Sequence, residues 1–134
     1  MQVSLDTNVW IFGLLGADEY CEIILFHLAQ FEIIIPDQVR AELERNLSDR
    51  DLKQFYRLAL QGGVDIDFEQ VPSTFIAEFE QKGLKKGDAE IGAFYEWRKI
   101  ALFVSDNRDF LKALPPEQQF EVLSPEQFCE RFGI

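Results

Sequence analysis

Two aspartates follow predicted β-strands at positions where their side chains can act together. Asp6 comes directly after the alternating residues 2–5, and Asp106 comes after the apolar run 101–104. If these two strands are parallel neighbours, both carboxylates leave the same edge of the sheet, about 5 Å apart. Open α/β sheets bind their ligands at this carboxyl edge. The spacing therefore predicts a shared acidic site there.

Two further acids lie on elements that lead to the same edge. Asp88 stands at the start of a predicted helix that feeds the strand 101–104, so this helix runs back across the sheet and begins over the carboxyl edge. Glu42 lies in the second turn of the predicted helix 37–47, within about 9 Å of its start at 1.5 Å per residue. Glu44 flanks the buried stripe of that helix at a similar angle, and the spacing does not choose between the two glutamates.

A cluster of carboxylates has few chemical uses. Two carboxylates about 5 Å apart repel each other by about 3 kcal/mol at an effective dielectric constant near 20, so a cluster must bind a cation or keep protons. Hard divalent ions such as Mg²⁺ or Mn²⁺ suit these oxygen ligands. The chain contains only Cys21, Cys129 and His27 as softer ligands. A single histidine also gives little basis for Ser/His/Asp or Cys/His nucleophilic catalysis.

Each acid taken singly also has an ordinary structural explanation. Asp6, Asp88 and Asp106 can serve as helix N-caps, a role that stabilises a helix by about 1 kcal/mol. Glu42 can form an exposed ion pair with Arg45. The prediction of a metal site therefore depends on the four acids sharing one edge of the sheet.

The elements that must position these acids alternate between strands and helices. This alternation favours the α/β class, with a parallel sheet and helices on both of its faces. The predicted strands are 2–5, 31–35, 64–68, 101–104 and 120–123. The predicted helices are 7–15, 18–30, 37–47, one from 48 or 49 to 60, 72–83, 88–100, a short helix ending at 114, and a last one starting at 124 or 125.

Length and composition limit the possible functions. At 134 residues with 47% hydrophobic content, the chain has the size and core of one domain. Its 24 acidic and 13 basic residues give a net charge of -11, so nucleic acid can be held only locally or with the help of a bound cation. Two distant cysteines favour a reducing compartment, and neither a signal peptide nor a membrane span is recognisable. We expect a cytoplasmic protein that does not contact membranes.

Basic residues near the predicted site are few. Lys82, Lys85 and Lys86 form a short loop before the helix that carries Asp88, and Arg108 follows Asp106 closely. These side chains can hold the phosphates that flank a reacting group, or they can belong to an ordinary solvated loop.

Four short segments carry a further signal through their order and spacing. They are Leu5-Asp6-Thr7-Asn8, Val39-Arg40-Ala41-Glu42-Leu43, Gly87-Asp88-Ala89-Glu90-Ile91 and Val104-Ser105-Asp106-Asn107-Arg108-Asp109-Phe110. Together they resemble the PIN-domain ribonucleases, and among these most of all the VapC-type toxins of toxin–antitoxin pairs. The resemblance covers nearly the whole chain.

The resemblance implies both a fold and an activity. The fold is a three-layer α/β/α sandwich with a central parallel sheet, formed by residues 1–134 as one PIN-like domain. The activity is cleavage of RNA in an acidic pocket with Mg²⁺ or Mn²⁺. The matched metal ligands are Asp6, Asp88 and Asp106, and Glu42 is matched to a catalytic glutamate that acts directly or through water.

The resemblance also implies supporting residues and partners. Asn8 and Ser105 match polar positions that support the site, although threonine is commoner than serine at the latter. Asp109 matches a position that is often acidic. The expected partners are the RNA substrate, a second copy of the chain in a homodimer, and a small cognate antitoxin that covers the pocket.

Two other functions fit parts of the same pattern. In a phosphotransfer enzyme Asp6 would be the nucleophile, but Asp6-Thr7-Asn8 lacks the second aspartate and the glycine of the haloacid dehalogenase type. In a catalytically inactive PIN-like domain the acids would be helix caps, and an apolar surface would bind a protein partner.

Overall fold

Five parallel strands form one sheet. The computed structural model describes residues 1–106 and 120–134, with the backbone alone at 86–88. The strand order is β3-β2-β1-β4-β5, and every neighbouring pair is parallel. The strands are β1 (Gln2–Leu5), β2 (Glu32–Pro36), β3 (Asp65–Asp67), β4 (Leu102–Val104) and β5 (Glu121–Leu123).

The sheet is covered on both faces. Ile33, Ile34 and Ile35 of β2 are all at most 2% exposed, although successive side chains of a strand point to opposite faces. The strands β1 and β4 show the same continuous burial. The predicted three-layer α/β/α sandwich with a central parallel sheet is therefore confirmed.

Seven α-helices surround the sheet in the described part of the chain. They are α1 (Thr7–Leu14), α2 (Glu19–Phe26), α3 (Asp37–Asn46), α4 (Asp49–Gln61), α5 (Ser73–Gln81), α6 (Lys86–Trp97) and α7 (Pro125–Phe132). Helix α2 packs against α1 and α7, and α5 packs against α6. A Cβ atom at Gly13 would lie 2.5 Å from Leu25 Cδ1, so the glycine is what lets α1 and α2 approach so closely. None of the described helices has the length and apolar character needed to span a bilayer.

The helix starts follow from local sequence. Ser48 caps α4 by accepting a hydrogen bond from the Asp51 N–H, and Ser124 forms a capping box with Gln127 at the start of α7. Pro36 immediately precedes α3, where its fixed φ suits a helix entry.

Two predicted helices differ from the observed ones. The predicted helix 18–30 is instead α2 followed by a 3₁₀ turn at Leu28–Gln30, because the backbone leaves helical geometry at His27, whose Nδ1 lies 2.7 Å from the Ile23 carbonyl oxygen. Helix α6 ends at Trp97 rather than at residue 100, and Lys99 has a φ of 56° that turns the chain toward β4. The predicted short helix that ends at residue 114 lies outside the described residues.

Candidate functional site

Asp6 ends β1 and is fixed through both carboxylate oxygens. Leu5 is paired with Val104 in the neighbouring strand β4, and the Asp6 N–H donates to the Val104 carbonyl oxygen at 2.9 Å. The Thr7 N–H donates to Asp6 Oδ1 at 2.8 Å, and the buried Ser105 hydroxyl donates to Oδ2 at 2.9 Å. Asp6 is thus the N-cap of α1, which confirms the structural role predicted for it. Its carboxylate also lies at the carboxyl edge of the sheet, held by these hydrogen bonds.

Thr7 links Glu42 of α3 to the segment that carries Asp6. The Thr7 hydroxyl donates to Glu42 Oε2 at 2.5 Å, and Gln38 Nε2 donates to Oε1 at 3.2 Å. Thr7 directly follows Asp6, and Asp6 and Glu42 line the same cleft, so this contact brings the two acids to one site. The alternative of a Glu42–Arg45 ion pair is wrong, since Glu42 contacts Thr7 and Gln38 instead.

Glu44 faces a different environment on the same helix. Its Oε1 accepts from Arg40 Nη1 at 2.9 Å and from the Tyr56 hydroxyl at 2.9 Å. The Tyr56 hydrogen bond and then the Arg40 one hold the pKa of the Glu44 carboxyl below its usual value. The choice that helical spacing left open therefore falls on Glu42 as the glutamate near Asp6.

A cleft of about 390 Å³ opens at these carboxylates. Helix α1 forms one wall and α3 the other. The lining residues are Asp6, Thr7, Asn8, Ile11, Glu42, Arg45 and Asn46. Asn8, predicted as a supporting residue, lies in this wall, and Arg45 is a cation at the site that the sequence prediction did not include.

The structure describes the surroundings of Asp88 and Asp106 in less detail than those of Asp6 and Glu42. Asp106 lies beyond β4 at the same edge and is exposed, but it does not line the cleft. The backbone of Asp88 lies in the first turn of α6, and Lys85 rather than Asp88 is the N-cap of that helix, so the explanation of Asp88 as an N-cap is wrong. The side chains of Asp88 and Lys86, and all of Arg108 and Asp109, lie outside the described residues. Lys85 is exposed.

Three solved structures are similar to this fold. VapBC2 from Rickettsia felis, solved bound to a DNA fragment from its promoter, matches with a TM-score of 0.67, 22% identity, and coverage of 92% of this chain and 98% of that one. A toxin–antitoxin complex from Klebsiella pneumoniae matches with a TM-score of 0.66, 19% identity, and coverage of 92% and 97%. PAE2754 from Pyrobaculum aerophilum matches with a TM-score of 0.60, 15% identity, and coverage of 99% and 98%. The chain therefore shares the fold of these proteins, a PIN-like α/β/α sandwich. No protein-family model and no curated protein sequence matches the chain.

The donor set of the candidate site is made of oxygen ligands. Asp6 and Glu42 supply carboxylates, and the site contains neither histidine nor cysteine, so the chemistry of the donors fits a hard divalent ion. Among the side chains that the structure describes, no group of three acids, histidines or cysteines lies close enough to hold one metal ion. Of the described acids, Asp6 and Glu42 are the two that line the cleft.

Besides Arg45, two further groups at the candidate site were missed by the sequence prediction. Thr7 was read only as part of a motif, yet its hydroxyl joins α1 to Glu42. Tyr95 of α6 is fully buried, and burial raises the pKa of its phenol well above the usual value. The Ser4 hydroxyl opposes this shift in the Tyr95 pKa, while the charges of Asp6 and Glu42 add to it. The helical period of residues 89, 93, 97 and 100 leaves Tyr95 on the opposite side of the helix, so the spacing did not predict that this side chain is buried near the two carboxylates.

Proposed function

We propose that this protein is a divalent-metal-dependent endoribonuclease that hydrolyses RNA phosphodiester bonds, and that it is the toxin of a toxin–antitoxin pair. The observation that carries the proposal is the Thr7-linked approach of Glu42 to Asp6 at the carboxyl edge of a VapC-type PIN fold. Such a pair of like charges is stabilised by a bound cation, which the open cleft can admit.

The roles of the residues follow from their contacts. Asp6 would bind Mg²⁺ or Mn²⁺ through oxygens whose direction is set by the Thr7 N–H and the Ser105 hydroxyl. Glu42, oriented by Thr7 and Gln38, would hold or accept the proton of the attacking water. Asp88 and Asp106 are proposed as the remaining ligands.

A divalent ion in the acidic cleft would lower the pKa of a bound water and offset negative charge on the phosphate oxygens. The proposed reaction needs both effects, because the cleft itself is anionic and the net charge of the chain is -11. Asn8 and Arg45 line the cleft at positions from which they can contact the sugar–phosphate backbone.

The proposed partners follow from the structural neighbours. One of these is a toxin–antitoxin complex and another is VapBC2, which supports a cognate antitoxin for this chain. We also propose a homodimer. These partners, like the RNA substrate, are open to direct measurement by co-purification and by the mass of the assembly in solution.

A second candidate is a catalytically inactive interaction module. It is favoured by large apolar side chains at the surface, above all Phe26 at 76% and Leu60 at 84% exposure. The two functions differ in what Asp6 does. A nuclease needs the Asp6 charge, whereas an interaction module needs only a cap.

The deciding experiment is cleavage of mixed single-stranded and structured RNAs in Mn²⁺, with and without a chelator. We expect cleavage by the wild type, loss with the chelator, and loss of activity without unfolding in Asp6→Asn, which keeps an oxygen to cap α1. Glu44→Gln is the matched control, since Glu44 contacts Arg40 and Tyr56 rather than the cleft. Equal cleavage by wild type and Asp6→Asn, purified identically, would overturn the proposal.

A further inference from the structure

Helix α4 carries a stripe of cations that have no carboxylate partner among the described residues. Arg50, Lys53 and Arg57 recur at spacings of three and four, which places them on one face of the helix. All three are exposed. Within the described part of the chain none of them forms an ion pair, whereas Arg40, Arg98 and Arg131 do. The stripe is therefore free to bind an external anion.

The stripe borders its own cleft of about 610 Å³. The cleft is lined by Leu14, Arg50, Asp51, Lys53, Gln54 and Arg57. Asp51 is its one acid, and the Ser48 hydroxyl donates to the Asp51 carboxylate at 3.0 Å. Three cations against one hydrogen-bonded carboxylate make this a basic cleft on an acidic protein.

The basic cleft adjoins the acidic cleft along α1. Ile11 lines the acidic cleft and Leu14 lines the basic one, and the two residues are one turn apart, about 4.5 Å along the helix axis. On the facing wall, Arg45 near the end of α3 lines the acidic cleft, and Arg50 near the start of α4 lines the basic one. The acidic cleft and the basic cleft are therefore neighbours along α1.

We propose that the RNA strand runs from the acidic cleft along α1, with its phosphates beside Arg45, Arg50, Lys53 and Arg57. This inference rests on the proposed nuclease function and names how the substrate is held. A polyanion on a protein with a net charge of -11 gains affinity only where cations are gathered and unpaired. Contacts to phosphates position a strand without reading its sequence. This row of cations, the phosphate track, therefore determines the affinity for RNA rather than the preference for particular bases.

A protein partner is the competing occupant of the same face. Phe26 and Leu25 border an adjoining apolar cleft that shares Leu14 and Gln54 with the basic one. The cations favour RNA, because they continue from the acidic cleft, whereas Phe26 of α2 lines the adjoining cleft, which also contains the acidic Glu22. An acidic partner protein is therefore retained as an outcome of the test.

The test compares Arg50→Gln/Lys53→Gln/Arg57→Gln, and each of its three single variants, with a single-charge control elsewhere on the surface. Lys99→Gln also removes an exposed lysine that has no ion pair among the described residues, but Lys99 lies at the opposite end of α6 from the site. Binding of a labelled single-stranded RNA is measured at several salt concentrations in the Asp6→Asn background, where no cleavage is expected. Steady-state cleavage is measured in the wild-type background.

The triple variant is expected to lower the slope of log K against log salt by about 2, because each lost phosphate contact on a single strand removes about 0.7. When salt is raised from 50 to 200 mM, the RNA affinity of the protein with the intact stripe should therefore fall by a factor about twentyfold larger than that of the triple variant. In cleavage, KM rises while kcat is kept, as for loss of uniform binding. Lys99→Gln should leave slope and KM unchanged, and the thermal midpoint should be the same in all variants.

Each failure points to a different error. Unchanged salt slope and KM in the triple variant, with RNA still cleaved by the wild type, would refute the track and leave the nuclease function standing. Loss of a co-purifying protein with unchanged RNA binding would show that the stripe serves a protein instead. Absence of Asp6-dependent cleavage would refute the proposed function, while the binding experiment would still decide the track.

Discussion

The Thr7 hydroxyl donates a hydrogen bond of 2.5 Å to Glu42 Oε2, while the Thr7 N–H donates to Asp6 Oδ1 at 2.8 Å. One residue at the start of α1 therefore holds two carboxylates from segments that are far apart in the chain. Thr7 itself is only 5% exposed, so its side chain has little freedom to turn away. The geometry of the candidate site depends on this residue as much as on the acids.

Thr7→Val is expected to reduce RNA cleavage about 10- to 100-fold, the usual effect of removing a partner that orients a metal-site residue. Valine keeps the shape and the backbone N–H, so Asp6 stays capped while Glu42 loses its donor. Thr7→Ser, which keeps the hydroxyl, should retain most of the activity. Equal kcat/KM values for the valine and serine variants would contradict the orienting role.

Ser105→Ala is expected to weaken Mn²⁺ binding by about 10- to 100-fold. The Ser105 hydroxyl is buried and donates to Asp6 Oδ2 at 2.9 Å, so alanine removes one of the hydrogen bonds that set the direction of this carboxylate. Ser105→Thr keeps a hydroxyl and serves as the control. Calorimetric titration with Mn²⁺ gives the dissociation constants, and identical values for the alanine variant and the wild type would refute this positioning.

Cys21 is expected to resist alkylation in the folded protein at pH 8. Burial, and then the charge of Asp18, raise the pKa of its thiol to about 12. Mass spectrometry after iodoacetamide treatment should find Cys21 modified in urea but not in buffer. Rapid labelling of the native protein at this position would contradict the buried, protonated thiol.

The same shift in the Cys21 pKa has a consequence for stability. The pKa is higher in the folded than in the unfolded chain, so the unfolded state loses this proton first as the pH rises. The contribution to the free energy of unfolding is therefore fully present below about pH 9 and is lost as the pH approaches about 12. Urea unfolding at pH 8 and pH 10.5 should show a smaller loss of stability in Cys21→Ala than in the wild type.

The sheet was predictable because its signal is local. Three consecutive isoleucines before Pro36 are typical of a strand covered on both faces, and the observed burial of Ile33, Ile34 and Ile35 confirms it. The ends of β1 and β4 could be located from the apolar runs, and parallel pairing then brings their C-terminal ends to one edge. The break of the predicted helix 18–30 at His27 depends on a local backbone turn for which hydrophobic periodicity gives no signal.

The choice between Glu42 and Glu44 was not predictable from helical spacing. Both glutamates flank the buried stripe of α3, and only contacts with other elements separate them. Thr7 from α1 binds Glu42, whereas Tyr56 from α4 binds Glu44. Such contacts between distant segments leave no periodic pattern in the sequence.

The basic residues show a different limit. Lys82, Lys85, Lys86 and Arg108 drew attention because they lie near predicted site residues in the sequence. The spacing of Arg50, Lys53 and Arg57 was equally visible, but a charged helix face is usually only solvated, and its closeness to the acidic cleft follows from how α4 packs beside α1. The roles predicted for Asp88 and Asp106 as ligands stay predictions.

Calorimetric titration of Mn²⁺ tests the central claim most directly. The wild type should bind Mn²⁺ with measurable heat, Asp6→Asn and Glu42→Gln should each weaken binding by at least about tenfold, and Glu44→Gln should bind as the wild type does. The three substitutions change the same chemical group, and two of them lie on one helix, so differences among them report position. If the wild type yields only heat of dilution, or if Asp6→Asn binds as tightly as Glu44→Gln, Asp6 and Glu42 do not form a metal site.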